Sequence, residues 1–130
     1  MQFLLKFHGE MRWLVVLVTV AVIARSLLGW LRGGTFGKSD RVLMMIFTTF
    51  IDINLLLGLA LLFGLPGGFP SYRLEHAVTM VLALIVAHSW AAWKRSDDSR
   101  MKFRNNFFVA LAVLGLVALG VLRLRGAWIY

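Results

Sequence analysis

Residues 76–93, His-Ala-Val-Thr-Met-Val-Leu-Ala-Leu-Ile-Val-Ala-His-Ser-Trp-Ala-Ala-Trp, form an almost unbroken apolar run of 18 residues. As a helix they rise about 27 Å, close to the hydrocarbon thickness of a bilayer. The run nevertheless carries His76 and His88, two of the three histidines in the chain. An imidazole in such a run lies at an interface, finds a buried partner, or holds a ligand such as a metal or haem iron.

Three further apolar runs share this character: Trp13 to Leu31, Val42 to Leu65 and Phe107 to Leu122. Of the 130 residues 60% are hydrophobic and 15% charged, where soluble domains hold about half and about a quarter. The apolar excess sits in the four runs, which is the pattern of a polytopic membrane protein. The expected fold is all-α, an integral-membrane four-helix bundle running up-down-up-down. Its spans fall at about 12–31, 42–65, 75–93 and 106–124. Loops this short leave no room for a soluble domain, so residues 1–130 read as one transmembrane domain. The first run is long, carries Arg25 and lacks a small-residue cleavage site, so it reads as a span rather than a signal peptide.

The net charge of +8 would suggest nucleic acid in a soluble protein. Here Lys and Arg occupy loops, where they set topology and touch anionic lipid, so no nucleic-acid partner is expected. The first loop holds Arg32, Lys38 and Arg41, and the third Lys94, Arg95, Arg100, Lys102 and Arg104. The second loop holds Arg73, the N-terminal segment Lys6 and Arg12, and the C-terminal segment Arg123 and Arg125. Eight against five places loops one and three in the cytoplasm and both termini outside. Trp128 and Tyr130 read as an aromatic anchor.

Polar residues inside the spans narrow the packing. His8, Arg12, Val15, Thr19, Val22 and Ser26 follow alternating three- and four-residue steps, so they share one stripe of the first helix. Such a stripe faces protein or cofactor rather than lipid. Arg25 lies off the stripe, near enough to the end of its run to snorkel to the interface. Ser39 or Asp40 suits the cap of the second helix. Asp52 and Asn54 fall near the middle of the second span, where a carboxylate is costly unless neutral or paired. Arg25, Thr19 and His88 are its candidate partners, and a proton-relay role is the functional alternative. The fourth span is rich in Ala and Gly, which lets helices approach closely in lipid.

The absence of cysteine excludes disulfides, thiolate catalysis, iron–sulfur clusters and covalently attached haem. Nothing supports hydrolysis: there is no paired-carboxylate site, His-Glu-x-x-His, nucleophile elbow or Walker sequence. No independent catalytic activity is expected. His8 and His76 lie at the same end of the bundle and are candidate axial ligands of haem b. Arg12 and Arg73 suit its propionates, and Glu75 could orient an imidazole or bind a proton. His88 follows His76 by 12 residues, about 18 Å along the helix and roughly 120° around it. It cannot share an iron with His76. A deeper ligand site, a chlorophyll-type pigment, a quinone, or a bond to Asp52 all remain open for it.

Four phrases carry a resemblance: Phe7-His8-Gly-Glu-Met-Arg12-Trp13, Arg25-Ser-Leu-Leu-Gly-Trp30, Leu55-Leu-Leu-Gly-Leu59 and Glu75-His76-Ala-Val-Thr-Met80. They resemble a family of small bacterial four-span membrane proteins commonly called cytochrome B, over nearly the whole chain. That family has a His-x-x-x-Arg-Trp-like opening and a Glu-His at the start of the third span, matched by His8, Arg12, Glu75 and His76. Its third loop often ends with a histidine, where this chain reads Arg100-Met-Lys-Phe-Arg104. The resemblance implies a b-type haem protein in electron transfer, alone or within a respiratory or photosynthetic complex. The alternative is a haem-free accessory subunit, with the lipid bilayer and either other membrane subunits or further copies of itself as partners.

The charge distribution generates a direct test. Reporter fusions at Lys38 and Asp97 are expected to behave as cytoplasmic, and a fusion at Gly68 as exported; the inverse pattern would reverse the orientation.

Overall fold

The fold is seen in a computed structural model that describes the backbone of residues 2–125 and the side chains of residues 2–122. Four long helices follow one another: α1 (Gln2–Arg32), α2 (Lys38–Gly64), α3 (Ser71–His88) and α4 (Ser99–Arg125). A short 3-10 helix, Ser89–Ala92, extends α3. All four are long and apolar enough to cross a membrane. The first and last helices start well before the apolar runs they contain. Hydropathy marks the hydrocarbon layer, whereas a helix continues into the interface until its backbone finds another partner. The anchor residues Trp128 and Tyr130 lie outside the described residues.

Each helix packs on two neighbours: α1 on α2 and α4, and α3 on α2 and α4. Among the described residues the backbones of the diagonal pairs α1/α3 and α2/α4 do not approach closely, and α2 meets α3 least closely of the neighbours. The bundle is therefore square in section, with a widened seam between α2 and α3. Burial follows the sequence stripe on α1, where Met11, Arg12, Val15, Thr19, Val22, Ser26 and Gly29 face inward. Against them pack Met44, Phe47 and Ile51 of α2, Ala83 and Ala87 of α3, and Val109, Ala110, Val113 and Val117 of α4. Leucines and phenylalanines such as Leu17, Leu56, Phe63 and Phe108 point outward, as they do where the surroundings are lipid.

Loops one and three close the same end of the bundle. The Phe36 backbone N–H donates to Ser99 Oγ at 2.9 Å, and Lys102 lies 4.8 Å from the Phe36 ring centroid. Asp98 accepts from the Met101 backbone N–H and so caps α4. Arg25, with its side chain 41% exposed, reaches the loop-one end of the bundle. Its guanidinium forms a two-point pair with Asp40, whose carboxylate also accepts from the Gly37 backbone N–H and caps α2. Asp40 is buried, so a bidentate guanidinium offers it more than an interfacial water would. Beneath this pair the Trp93 Nε1–H donates to Asn106 Oδ1 at 2.8 Å.

Gly29 sits where α1 crosses α4. A Cβ there would come within 2.6 Å of the fully buried Phe103 ring, whereas one at Gly115 would meet nothing within 4 Å. Overpacking of this kind costs about 1–3 kcal/mol. Gly29→Ala is expected to lower the thermal midpoint in detergent, and Gly115→Ala to leave it unchanged or raise it.

Candidate cofactor site

At the end of the bundle that holds the start of α1 and the α2–α3 connection, packing is open. A cavity of about 150 Å³ lies there, lined from all four helices. His8 and Arg12 contribute from α1, Asn54 and Gly58 from α2, Arg73, His76 and Met80 from α3, and Val117 and Val121 from α4. The lining is mainly aliphatic with a few convergent polar groups, the usual make-up of a ligand site.

The histidines come from diagonally opposed helices. Neighbouring helices pack at 8–10 Å, so a diagonal pair stands roughly 13 Å apart, and inward-pointing imidazoles bridge that width. Their ring centroids are 6.4 Å apart and their planes nearly perpendicular, at 87°. His76 is fixed by a 2.9 Å bond between Nδ1 and the Gly120 carbonyl oxygen. A carbonyl only accepts, so Nδ1 carries the proton and Nε2 is the lone-pair nitrogen. His8 packs against Gly58, where an added Cβ would sit 3.1 Å from its Cε1. Glycine at that position sets how closely the imidazole approaches α2.

Two cations border the same space. Arg12 is buried, with its guanidinium carbon 5.0 Å from the Trp13 ring centroid. Arg73 donates to the Gly68 carbonyl at 3.2 Å. The turn beneath Arg73 depends on Gly67 and Gly68, at φ of 100° and 71°, a conformation that favours glycine. Glu75 is exposed and does not line the cavity. Among the described residues no three His, Cys, Asp or Glu side chains converge. Protein ligands alone therefore do not make a tetrahedral metal site there.

Asp52 and His88 form a separate feature. His88 Nε2 lies 2.7 Å from Asp52 Oδ1, which selects His88 from the three partners weighed for this carboxylate. Thr19 instead donates to the Val15 carbonyl, and Arg25 is held by Asp40. The pair bridges α2 and α3 on the outer flank, with side chains 45% (His88) and 41% (Asp52) exposed. It lies about 18 Å along α3 from His76 and outside the cavity.

The structure thus gathers His8, Arg12, Arg73 and His76 around one space and sets Asp52, His88 and Glu75 apart from it. Asn54, Gly58, Met80 and Gly120 complete the site's surroundings. Asn54 stood out in the sequence as a polar residue in mid-span, whereas Gly58 and Met80 entered only within the phrases of the resemblance and Gly120 only as one small residue of the fourth span. The Oδ1 of Asn54 is buried without a hydrogen-bond partner among the described residues. Gly58 follows Asn54 by four residues and so shares its face, which is the pattern that could have linked it to the site. No protein-family model matches this chain, nor does any curated protein or solved structure.

The Asp52–His88 bond generates a test in the membrane. Asp52→Asn keeps an acceptor for the imidazole and is expected to accumulate in membranes as the wild type does. Asp52→Lys places a cation beside His88 in hydrocarbon, at a cost of several kcal/mol, and is expected to be depleted on an immunoblot of the membrane fraction.

Proposed function

We propose that this protein is a b-type haem protein that carries electrons within a bacterial plasma membrane, with His8 and His76 as the axial ligands. The observation that carries the reading is the 6.4 Å separation of the two rings across the bundle. A metal between two imidazole nitrogens at about 2.0–2.1 Å each separates the ring centroids by about 6.3 Å. The resemblance carried by His8, Arg12, Glu75 and His76 points the same way.

The surrounding residues have definable work in this reading. The Gly120 carbonyl holds the His76 ring in the tautomer that offers Nε2 as a ligand and raises its basicity. Gly58 lets His8 lie against α2. Arg12 and Arg73 supply positive charge for two carboxylates, Arg12 from a buried position and Arg73 from the rim beside the turn. The enclosed volume is smaller than the roughly 300 Å³ at which cofactor pockets begin. Leu55, Leu59, Leu62 and Met80 bound it, and admitting a macrocycle would require these side chains to move apart along the α2–α3 seam. Bound haem would supply reversible one-electron transfer, with its potential set by two imidazoles and an aliphatic surround.

Detergent-purified protein, expressed with ample haem, is expected to show a Soret band and an α-band that sharpens on dithionite reduction. His8→Ala or His76→Ala leaves five-coordinate iron or no haem, and Gly58→Ala weakens retention of the chromophore. His88→Ala leaves the spectrum intact. A folded, colourless wild type overturns the proposal; its copurification with a larger membrane complex would make it an accessory subunit.

A further inference from the structure

The Asp52–His88 pair is polar, joins the middle of α2 to the last residue of α3, and faces away from the bundle. Asp52 is 14 residues from Lys38 and 12 from Gly64, about 20 Å from either end of a helix that spans the membrane. Its side chain and that of His88 are more than two-fifths exposed at a depth where no water serves an unmet hydrogen bond. Among the described residues nothing covers them.

The chemistry of the pair defines what it lacks. The internal bond uses His88 Nε2 and Asp52 Oδ1; His88 Nδ1 and Asp52 Oδ2 have no hydrogen bond among the described residues. In hydrocarbon the pair is neutral overall, because a net charge there costs far more. Neutrality is met by imidazolium with carboxylate, or by neutral imidazole with a carboxylic acid that donates to Nε2. Both forms leave an N–H on Nδ1 and an accepting oxygen at Oδ2. The flank therefore offers one donor and one acceptor side by side, at equal depth because they belong to bonded partners.

We infer that this flank is the interface with a second copy of the same chain, in which His88 Nδ1–H of each copy donates to Asp52 Oδ2 of the other. Both copies cross the membrane in one sense, so a two-fold axis along the membrane normal keeps every residue at its own depth. That axis sets α2 of one copy against α3 of the other, and each Asp52 against a His88. Two-fold interfaces are self-complementary in this way, and a donor beside an acceptor at one level is what such symmetry needs. The adjoining surface suits contact between helices. Met45, Thr49 and Leu56 share the Asp52 face of α2, and Val81, Ile85 and Ala92 the His88 face of α3; all are exposed. The interface is independent of what the cavity holds.

The chain has no cysteine, so single substitutions can map the contact in native membranes. Leu56→Cys or Ile85→Cys is expected to give an oxidant-induced disulfide dimer. Leu17→Cys and Leu111→Cys, exposed on α1 and α4, are expected to give none above background. Adding Asp52→Leu and His88→Leu together should abolish the cross-link while the purified protein stays monodisperse and helical, now at monomer mass by light scattering. Cross-linking through Leu17 or Leu111 instead, a dimer indifferent to the double leucine change, or a disulfide adduct with a different protein would overturn the inference. So would a wild-type monomer that carries a lipid-soluble hydroxylated ligand at the pair.

Discussion

Hydrocarbon offers a polar side chain no partner, and the packing of this chain follows from that single fact. A carbonyl or carboxylate within the spans is costly unless another part of the protein meets it, and most of those in this bundle are met. Thr19 and Thr48 solve this locally, donating to the carbonyls of Val15 and Met44 in the preceding turn. Asp40 is met by Arg25 across the α1–α2 junction and by the backbone of its own cap. Asn106 is met by Trp93 between α3 and α4. Each solution links two neighbouring helices or stays within one turn, and together they dictate which faces turn inward. Apolar packing alone would leave these helices free to rotate, because lipid is as apolar as their leucines.

Side-chain size then decides where the bundle is solid and where it is hollow. Phe47, Met44, Trp90 and Phe103, four bulky buried side chains, lie toward loops one and three. Toward the opposite end the inward positions hold Gly9, Gly58, Ala77 and Gly120. A square bundle with large side chains at one end and small ones at the other closes tightly below and stays open above. The cavity is where the histidines are because the glycines are there too.

The stripe on α1 was legible from residue spacing alone, and Arg12, Val15, Thr19, Val22 and Ser26 are all buried. So were the four helices and the placement of His8 and His76 at one end, because hydropathy and chain direction determine both. Asp52 could be matched only to three partners, since the rotation of one helix about its axis against another is a matter of packing. The Arg25–Asp40 pair escaped notice for a related reason. Asp40 had a sufficient local explanation as a cap, and nothing in the sequence says that one carboxylate serves two purposes. The aim of His76 Nδ1 at a carbonyl on α4 was likewise unreadable, because Gly120 differs from its neighbours only by what it lacks.

α3 is the helix on which these features meet. Its inward face is the poorest in buried side chains, with only Ala83 and Ala87 fully enclosed. A helix that buries so little of itself against its own bundle has surface left for other contacts. His76 and His88 lie about 120° apart around its axis, so one histidine turns into the cavity while the other faces out beside Asp52. The angle follows from a spacing of 12 residues, and neither imidazole can take the other's place without rotating the whole helix. Such a rotation would pull Ala83 and Ala87 out of the core and the His76 ring away from Gly120. The interior site and the outer flank are therefore held in register by the same small-residue packing of α3 on α4.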